Sequence, residues 1–470
     1  MKVWESARRA LPIFGSVVLL SLAFPPANVS LLVLVALAPW FASLRDTDAR
    51  GSKKSGYLFG FLYFLFQMFW LVPFVSHWTG SIALAVVPWV VAAAAAGFYY
   101  MLAGWLVYRC WQRKALWAIP LVWSGVEAFR SYIIGLAFPW GLVAFPLWRY
   151  PAVVQHAAFG TIFFVSATVV FINVLVACVI WPKEGMLTQR AGFQSGIFLL
   201  ILLMYSLLRY NSTNAGPDKK VYTVGQTGVD VAFGNPKDVE RNLQTAVDTL
   251  MGAASLNKSS VLILPEGVAM ASVSVPPEGP VHPVDGLAVV FGGNRVEGDD
   301  TFQTAYAYDG TWKWADKTRL VIFGEYVPLR DTLPFLQDFD LPSGDLTPAK
   351  KLKTLEVDGV KTGTLLCFEG LFPDLAERHC RNGAQVLAVM SIDDWYQGTP
   401  APEQLSGSSV WRSIESGLPV LRSASLGTSL VTDCRGRVPI MAPVGKTVPL
   451  RVEVSVPAKS DAFDYRFGFV

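Results

Sequence analysis

Three side chains in the C-terminal half of the chain can combine into acyl-transfer chemistry. Glu266 closes the run VLILPE, Lys317 lies in WADKTRL, and Cys367 closes TGTLLC just before Phe368-Glu369-Gly370. A thiol at a strand-to-helix junction is the interesting member. The dipole at a helix N-terminus and a nearby ammonium both favour the thiolate, which is the nucleophilic form. A carboxylate can take the thiol proton, and a lysine can stabilise the oxyanion formed when a carbonyl is attacked. Each residue alone has an ordinary reading: a buried small hydrophobe, a turn acid, a solvated charge. Their common position at the carboxyl ends of strands, where open α/β sheets place their sites, gives them weight together. No C-x-x-C or H-E-x-x-H occurs among the five cysteines and four histidines.

The segments around these residues alternate strand and helix. VYTVGQ from Val221 is followed by 236–253, where Val239, Leu243, Val247 and Leu250 share one helical face, and then by the strand at 261–266. LAVVFGG is the next strand. Two pairs of runs then flank Asp309-Gly310 and Asp358-Gly359, dipeptides suited to tight hairpin turns. Helices are expected near 371–382 and 404–416, with the strand AQVLAVMS between them and further strands closing the chain. The pattern predicts an α/β layered domain over 220–460, of about 240 residues.

The first half has a different composition. Apolar residues make up 52% of the 470-residue chain and charged ones only 16%, and soluble chains carry about a quarter charged. The surplus is concentrated in 1–210, predicted as a multispan membrane domain, with apolar tracts at 11–25, 29–44, 56–75, 81–108, 115–128, 157–181 and 193–209. A bilayer core needs roughly 20 apolar helical residues to cross, so seven spans are expected, the first and fifth short and the fifth carrying Glu127. The basic start resembles a signal peptide but lacks a clear cleavage site, so a retained anchor is expected. Basic residues cluster at the N-terminus, at Arg45 to Lys54, at Arg109 to Lys114, and at Lys183 and Arg190, which assigns those loops to the cytoplasm. An odd number of spans then delivers everything after Arg209 to the far side. A polar linker is expected over 211–219. The net charge of +3, with no basic block, argues against a nucleic-acid partner.

Order and neighbourhood of Glu266, Lys317 and Cys367 resemble the nitrilase superfamily, whose Glu-Lys-Cys triad sits in an α-β-β-α sandwich. The match narrows with FGEYVPLR at 323–330, AFPPANVSLLVLVALAPW near 23–40, GYLFGFLYFLFQMFWL near 56–71 and FPWGL at 138–142. A chain with these strings behind a multispan half is similar to the apolipoprotein N-acyltransferase family. Carried over by position, the resemblance implies Glu266 as general base, Lys317 as oxyanion or thiolate stabiliser and Cys367 as nucleophile. It also implies supporting roles for Glu325, Glu369 and Trp395. The implied reaction is two-step: Cys367 takes an acyl chain from a membrane phospholipid, and the thioester then acylates the α-amine of a diacylated apolipoprotein, without a cofactor, in the bacterial inner membrane with the catalytic domain on the periplasmic side.

Some family positions differ. Ile392 replaces an Asn, Leu405 a His, and Ser425-Leu426 an Asn-Asn pair, while Arg412, Glu415 and Arg422 match. The closing membrane span of the family is not found in the tail 461–470. Two other readings stand beside the acyltransferase: a membrane-tethered nitrilase-like amidase, and a non-catalytic lipid-binding homologue. The apolar loop 331–344, with Leu333, Phe335, Leu336, Phe339 and Leu341, and the Pro-rich segment 276–283 are candidates for an interfacial or lid role. Cys110 and Cys178 read as packing residues, Cys380 and Cys434 as a possible pair, and His379 as a surface helix residue.

Overall fold

The computed structural model describes residues 2–133, 136–214, 216–273, 275–328, 330, 332, 341 and 344–461. The chain divides into two compact units, Met1–Leu208 and Arg209–Val470. Most of the apolar loop 331–344 and the tail 462–470 lie outside the described residues.

The first unit is built from α1 (Lys2–Ala23), α2 (Ala38–Leu44), α3 (Ala49–Gln67), α4 (Leu71–Thr79), α5 (Ile82–Gln112), α6 (Ala118–Tyr132), α7 (Ala157–Ile180) and most of α8 (Gln189–Asn211). By length and composition α5, α7 and α8 can each cross a bilayer, and α3 with α4 makes a fourth candidate bent by 60°. The apolar part of α1, Ala10–Ala23, the stretch Ser30–Leu44 and α6 are shorter. Where one helix is expected over 29–44, the structure has a 3-10 turn (Ser30–Leu34), a break and α2. Buried Asn173 of α7 accounts for this: it accepts from Leu37 N (2.8 Å) and Ala38 N (3.1 Å) and donates to Val33 O (2.7 Å). These are backbone groups that a break would otherwise leave unsatisfied in apolar surroundings.

The FPWGL stretch is likewise an irregular loop held by buried side chains. Glu127 accepts from Val143 N (2.8 Å), Arg130 donates to Phe138 O (2.6 Å) and Tyr63 donates to Gly141 O (3.1 Å). The acid in the fifth tract therefore has a structural partner. Helices α3 and α5 approach closely because glycines face the partner: a Cβ at Gly56 would lie 2.2 Å from Tyr100 O. Small residues serve this purpose between membrane helices. Val87, Val91 and Phe98 of α5 and Phe193, Leu200 and Leu208 of α8 are exposed, an apolar surface suited to lipid.

The second unit holds two sheets. One contains β1 (Asp218–Gln226), β2 (Val261–Ile263), β3 (Ala269–Ser272), β4 (Ala288–Glu297), β5 (Asp300–Tyr308), β6 (Trp312–Asp316) and β13 (Val448–Val456), in the order β13-β1-β2-β4-β5-β6 with β3 beside β4. The other contains β7 (Leu355–Val357), β8 (Val360–Leu366), β9 (Val386–Ser391), β10 (Val420–Ala424), β11 (Leu430–Thr432) and β12 (Ile440–Met441), in the order β12-β11-β10-β9-β8-β7. Side chains alternate across a strand, so Val261 and Ile263 join Leu366, Ala388 and Met390 in the core between the sheets. Leu262 faces the other way and meets Leu243, Val247 and Leu250 of α9 (Pro236–Leu256). Helices α10 (Pro373–Arg381) and α11 (Ala401–Ser416) pack on the second sheet. The result is the α-β-β-α sandwich.

Both Asp-Gly dipeptides turn antiparallel hairpins, β5 to β6 and β7 to β8. At the second, Asp358 (φ +48°) and Gly359 (φ +72°) are both left-handed, as a type I′ turn requires. The helix expected from 371 starts only at Pro373, because 367–371 forms a 3-10 turn. Of the expected linker, Asn214 is tied down by donating to Gly417 O (3.0 Å) and Lys459 O (3.1 Å).

One side-chain expectation is corrected, and one open question is answered. His379 is buried, not at the surface: its ring nitrogens bond Thr354 Oγ1 (2.8 Å) and Thr364 O (3.0 Å). Gly363 leaves room for the ring, since a Cβ there would sit 2.7 Å from it. Cys380 and Cys434 are not joined in a disulfide.

Candidate active site

Glu266, Lys317 and Cys367 each follow the carboxyl end of a strand, β2, β6 and β8. Glu266 is set by its neighbour β4: Gly292 N donates to Pro265 O (3.0 Å), and a Cβ at Gly292 would come within 2.7 Å of Glu266 Cα. Lys317 is fixed through its backbone, donating to Gln303 O (2.7 Å) and accepting from Ala349 N (2.8 Å). Cys367 begins the 3-10 turn with φ +49°. That conformation costs of order 1–3 kcal/mol for a residue with a Cβ and has to be enforced by its surroundings. Glu369 does much of this, accepting from Leu366 N (3.1 Å), Thr318 N (2.8 Å), Thr318 Oγ1 (2.8 Å) and Arg319 N (3.1 Å). It thereby ties the turn that carries Cys367 to the segment that carries Lys317.

One ammonium links the acids. Lys317 Nζ lies 2.6 Å from Glu325 Oε1 and 3.7 Å from Glu266 Oε1, and all three side chains are buried. Glu325 is held in turn by Val321 N (3.0 Å), and Glu266 by Ile392 N (3.2 Å). Burial pushes the Glu266 carboxyl up to about 7, Lys317 opposing the rise and Glu325 adding to it. Burial also pushes the Cys367 thiol up to about 12; the Glu266 charge adds to this, while Lys317 and the Ser391 side chain pull it down. For Lys317, burial works against the charge but is outweighed by Glu325 and Glu266, so it stays protonated. Burial raises Glu369 above the ordinary carboxylate range against the pull of Lys317 and its N–H donors.

The loop after β9 forms the flank. Asp393 accepts from Ser391 Oγ (2.6 Å) and pairs with buried Arg422 (2.7 Å). Asp394 accepts from Val231 N (2.7 Å), Leu426 N (3.0 Å) and the Ser425 hydroxyl, and burial raises it to about 7. The replaced positions 392, 425 and 426 are thus engaged in the site, two of them through backbone N–H groups that do not depend on the side chain. Leu405 is buried in α11. Trp395 stands edge-on to Phe233, their ring centroids 5.5 Å apart.

Sequence reading passed over two neighbours of the thiol. Ser391 becomes one because β8 and β9 pair in parallel with Leu366 opposite Met390. Burial holds the Tyr396 phenol well above the ordinary tyrosine value, and the charges of Cys367, Glu325, Asp393 and Glu266 add to this. Pairing register and loop closure carry no signal in a single sequence. Among the described residues, no group of three or more His, Cys, Asp or Glu side chains is arranged to hold a metal ion.

Two family models match the chain: the apolipoprotein N-acyltransferase N-terminal domain over residues 16–175 and carbon-nitrogen hydrolase over 285–452. The chain is 26% identical over 483 residues to the apolipoprotein N-acyltransferase of Geobacter metallireducens, covering 96% of this chain and 90% of that protein. It is 29% identical to that of Allorhizobium ampelinum, covering 92% and 87%. Among solved structures, Saccharomyces cerevisiae Nit3, a member of branch 10 of the nitrilase superfamily, is similar over 55% of this chain and 97% of its own, at 16% identity and a TM-score of 0.39.

Proposed function

Since the chain belongs to the apolipoprotein N-acyltransferase family, an enzyme family of lipoprotein N-acylation, we propose that Cys367 carries the acyl group as a thioester, with Glu266 as base and Lys317 as oxyanion partner. The observation that carries the assignment is the buried Lys317 ammonium, shared by Glu325 at 2.6 Å and Glu266 at 3.7 Å and acting on the Cys367 thiol.

In the first half-reaction the Cys367 proton passes to Glu266 as sulfur attacks a phospholipid ester carbonyl. The charge that develops on the carbonyl oxygen faces Lys317. The tetrahedral adduct collapses, the glycerol oxygen leaves with the proton held by Glu266, and a thioester remains. In the second, the α-amine of a diacylglyceryl-cysteine attacks the thioester, Glu266 takes the amine proton, and collapse gives the amide and returns the proton to sulfur. This is ping-pong chemistry.

The electrostatics suit the proton transfer. A thiol at about 12 facing a carboxylate at about 7 resists ionisation in the resting site, partly because the Glu266 charge repels a thiolate. Once Glu266 accepts the proton, that repulsion disappears and the attraction of Lys317 remains. The two groups therefore exchange one proton more easily than their separate values imply. Lys317, kept as the ammonium by Glu325, stabilises the oxyanion by its charge and need not give up a proton.

The acyl donor in this reading is a membrane phospholipid and the acceptor a diacylated apolipoprotein. The enzyme sits in the bacterial inner membrane, with residues 209–470 on the periplasmic side. Purified protein in micelles with phospholipid and a diacylated lipopeptide is expected to form triacylated product by mass spectrometry, and Cys367→Ala none. Free fatty acid released without acylated peptide would reassign the protein as a hydrolase. Equal product from Cys367→Ala would remove Cys367 from the mechanism.

A further inference from the structure

The second unit has a cavity of about 420 Å3 that the acyl-transfer reaction does not use. Its lining brings together Thr318 and Arg319 after β6, Lys350 and Lys351 before β7, and Arg378 and Arg381 on α10. Two of the five cations are already compensated. Arg319 makes a bidentate pair with Asp374 (2.7 and 2.9 Å) and stacks 4.2 Å over Phe372, while Arg381 pairs with Glu377. Among the described residues, no acidic side chain pairs with Lys350, Lys351 or Arg378. Glu369, the acid beneath the floor, is turned inward onto Thr318, Arg319 and Leu366.

Cations in the last turn of a helix complement its dipole, which accounts for Arg378 and Arg381. It does not account for Lys350 and Lys351, which come from a loop. Lys350, Lys351 and Arg378 are exposed, so water screens their mutual repulsion, and an anion placed between them is attracted by all three at once. Arg offers a planar fork to oxygen pairs and Lys a compact charge, the combination used for phosphate.

We infer that this cavity binds a phosphate-bearing anion, held by Lys350, Lys351 and Arg378. Because Ala349 N donates to Lys317 O (2.8 Å), an anion bridging this loop to α10 also braces the segment that carries Lys317. The inference stands independently of the acyl-transfer reading.

Lysine acylation followed by peptide mass spectrometry tests it on the full chain in neutral detergent. Inorganic phosphate and phosphatidylglycerol are the two probes, each compared with chloride at equal ionic strength. Reactivity at Lys350 and Lys351 is expected to fall saturably, by about threefold or more as the site fills, with exposed Lys258 unchanged. Protection by phosphatidylglycerol alone assigns a lipid headgroup, and protection by inorganic phosphate assigns a soluble phosphate. Arg378→Gln is expected to abolish the protection. Reactivity no different from chloride with both probes, or protection undiminished in Arg378→Gln, overturns the inference.

Discussion

Lys317 stands between two carboxylates at unequal distance, and the inequality gives them different work. Glu325 at 2.6 Å neutralises the ammonium and keeps it protonated; in the proposed mechanism Glu266, at 3.7 Å, is the acid that exchanges a proton with Cys367. Removing the Glu325 charge is expected to lower turnover about 10- to 100-fold, the value of one charge-assisted hydrogen bond; Glu325→Gln compared with wild type in the lipopeptide assay reads this out. Since burial raises Glu266 to about 7, the ionised base is present only above that value, so the rate of Cys367 acylation is expected to rise as pH increases through about 7. The same shift has the opposite sign for stability. A carboxyl raised in the folded state favours folding fully below its unfolded value, and that contribution is lost as pH rises through about 7. Glu266→Gln is thus expected to lose activity while its melting temperature at pH 8 equals or exceeds wild type; a lower melting temperature would contradict the burial argument. Glu266, Lys317 and Cys367 were legible because strand ends followed by ionisable residues are visible in a sequence, and Glu325 because of FGEYVP. Ser391 and Tyr396 were not, because their nearness to the thiol is created by sheet pairing and loop closure.

At the scale of elements, the site depends on close approaches that leave no room for side-chain atoms. A Cβ at Gly292 would meet Glu266 Cα at 2.7 Å, so Gly292→Ala is expected to displace the base, cutting activity at least about tenfold and stability by about 1–3 kcal/mol; urea unfolding and the lipopeptide assay measure the two effects. The β9 loop is anchored by the fully buried Asp393–Arg422 pair. Breaking such a pair from one side costs about 3–5 kcal/mol, so Arg422→Met is expected to destabilise by that amount in denaturant unfolding. Hairpins and α9 were readable from Asp-Gly dipeptides and from one apolar helical face. The break before α2 was not, since it depends on Asn173, more than a hundred residues away, meeting backbone groups at Leu37 and Ala38. Burial of His379 escaped for a similar reason: its partners Thr354 and Thr364 lie on other segments.

Across the whole chain, composition alone separated an apolar half from a polar one, and the two compact units meet at residues 208 and 209. In the proposed topology the basic loops place exposed Lys54 on the cytoplasmic side and exposed Lys258 on the other. Membrane-impermeant maleimide on intact spheroplasts is therefore expected to label Lys258→Cys and to leave Lys54→Cys unlabelled until the cells are opened; the reverse pattern would invert the topology. Number and bending of spans were less legible, because length and apolarity do not reveal where a buried polar residue supports a break. The covalent role of Cys367 is tested most directly by intact and peptide mass spectrometry of the protein incubated with phospholipid alone. The expected result is one fatty acyl group on Cys367, released by hydroxylamine and transferred when lipopeptide is added. Unmodified protein under conditions that acylate the lipopeptide, or an acyl group on another residue, would contradict it.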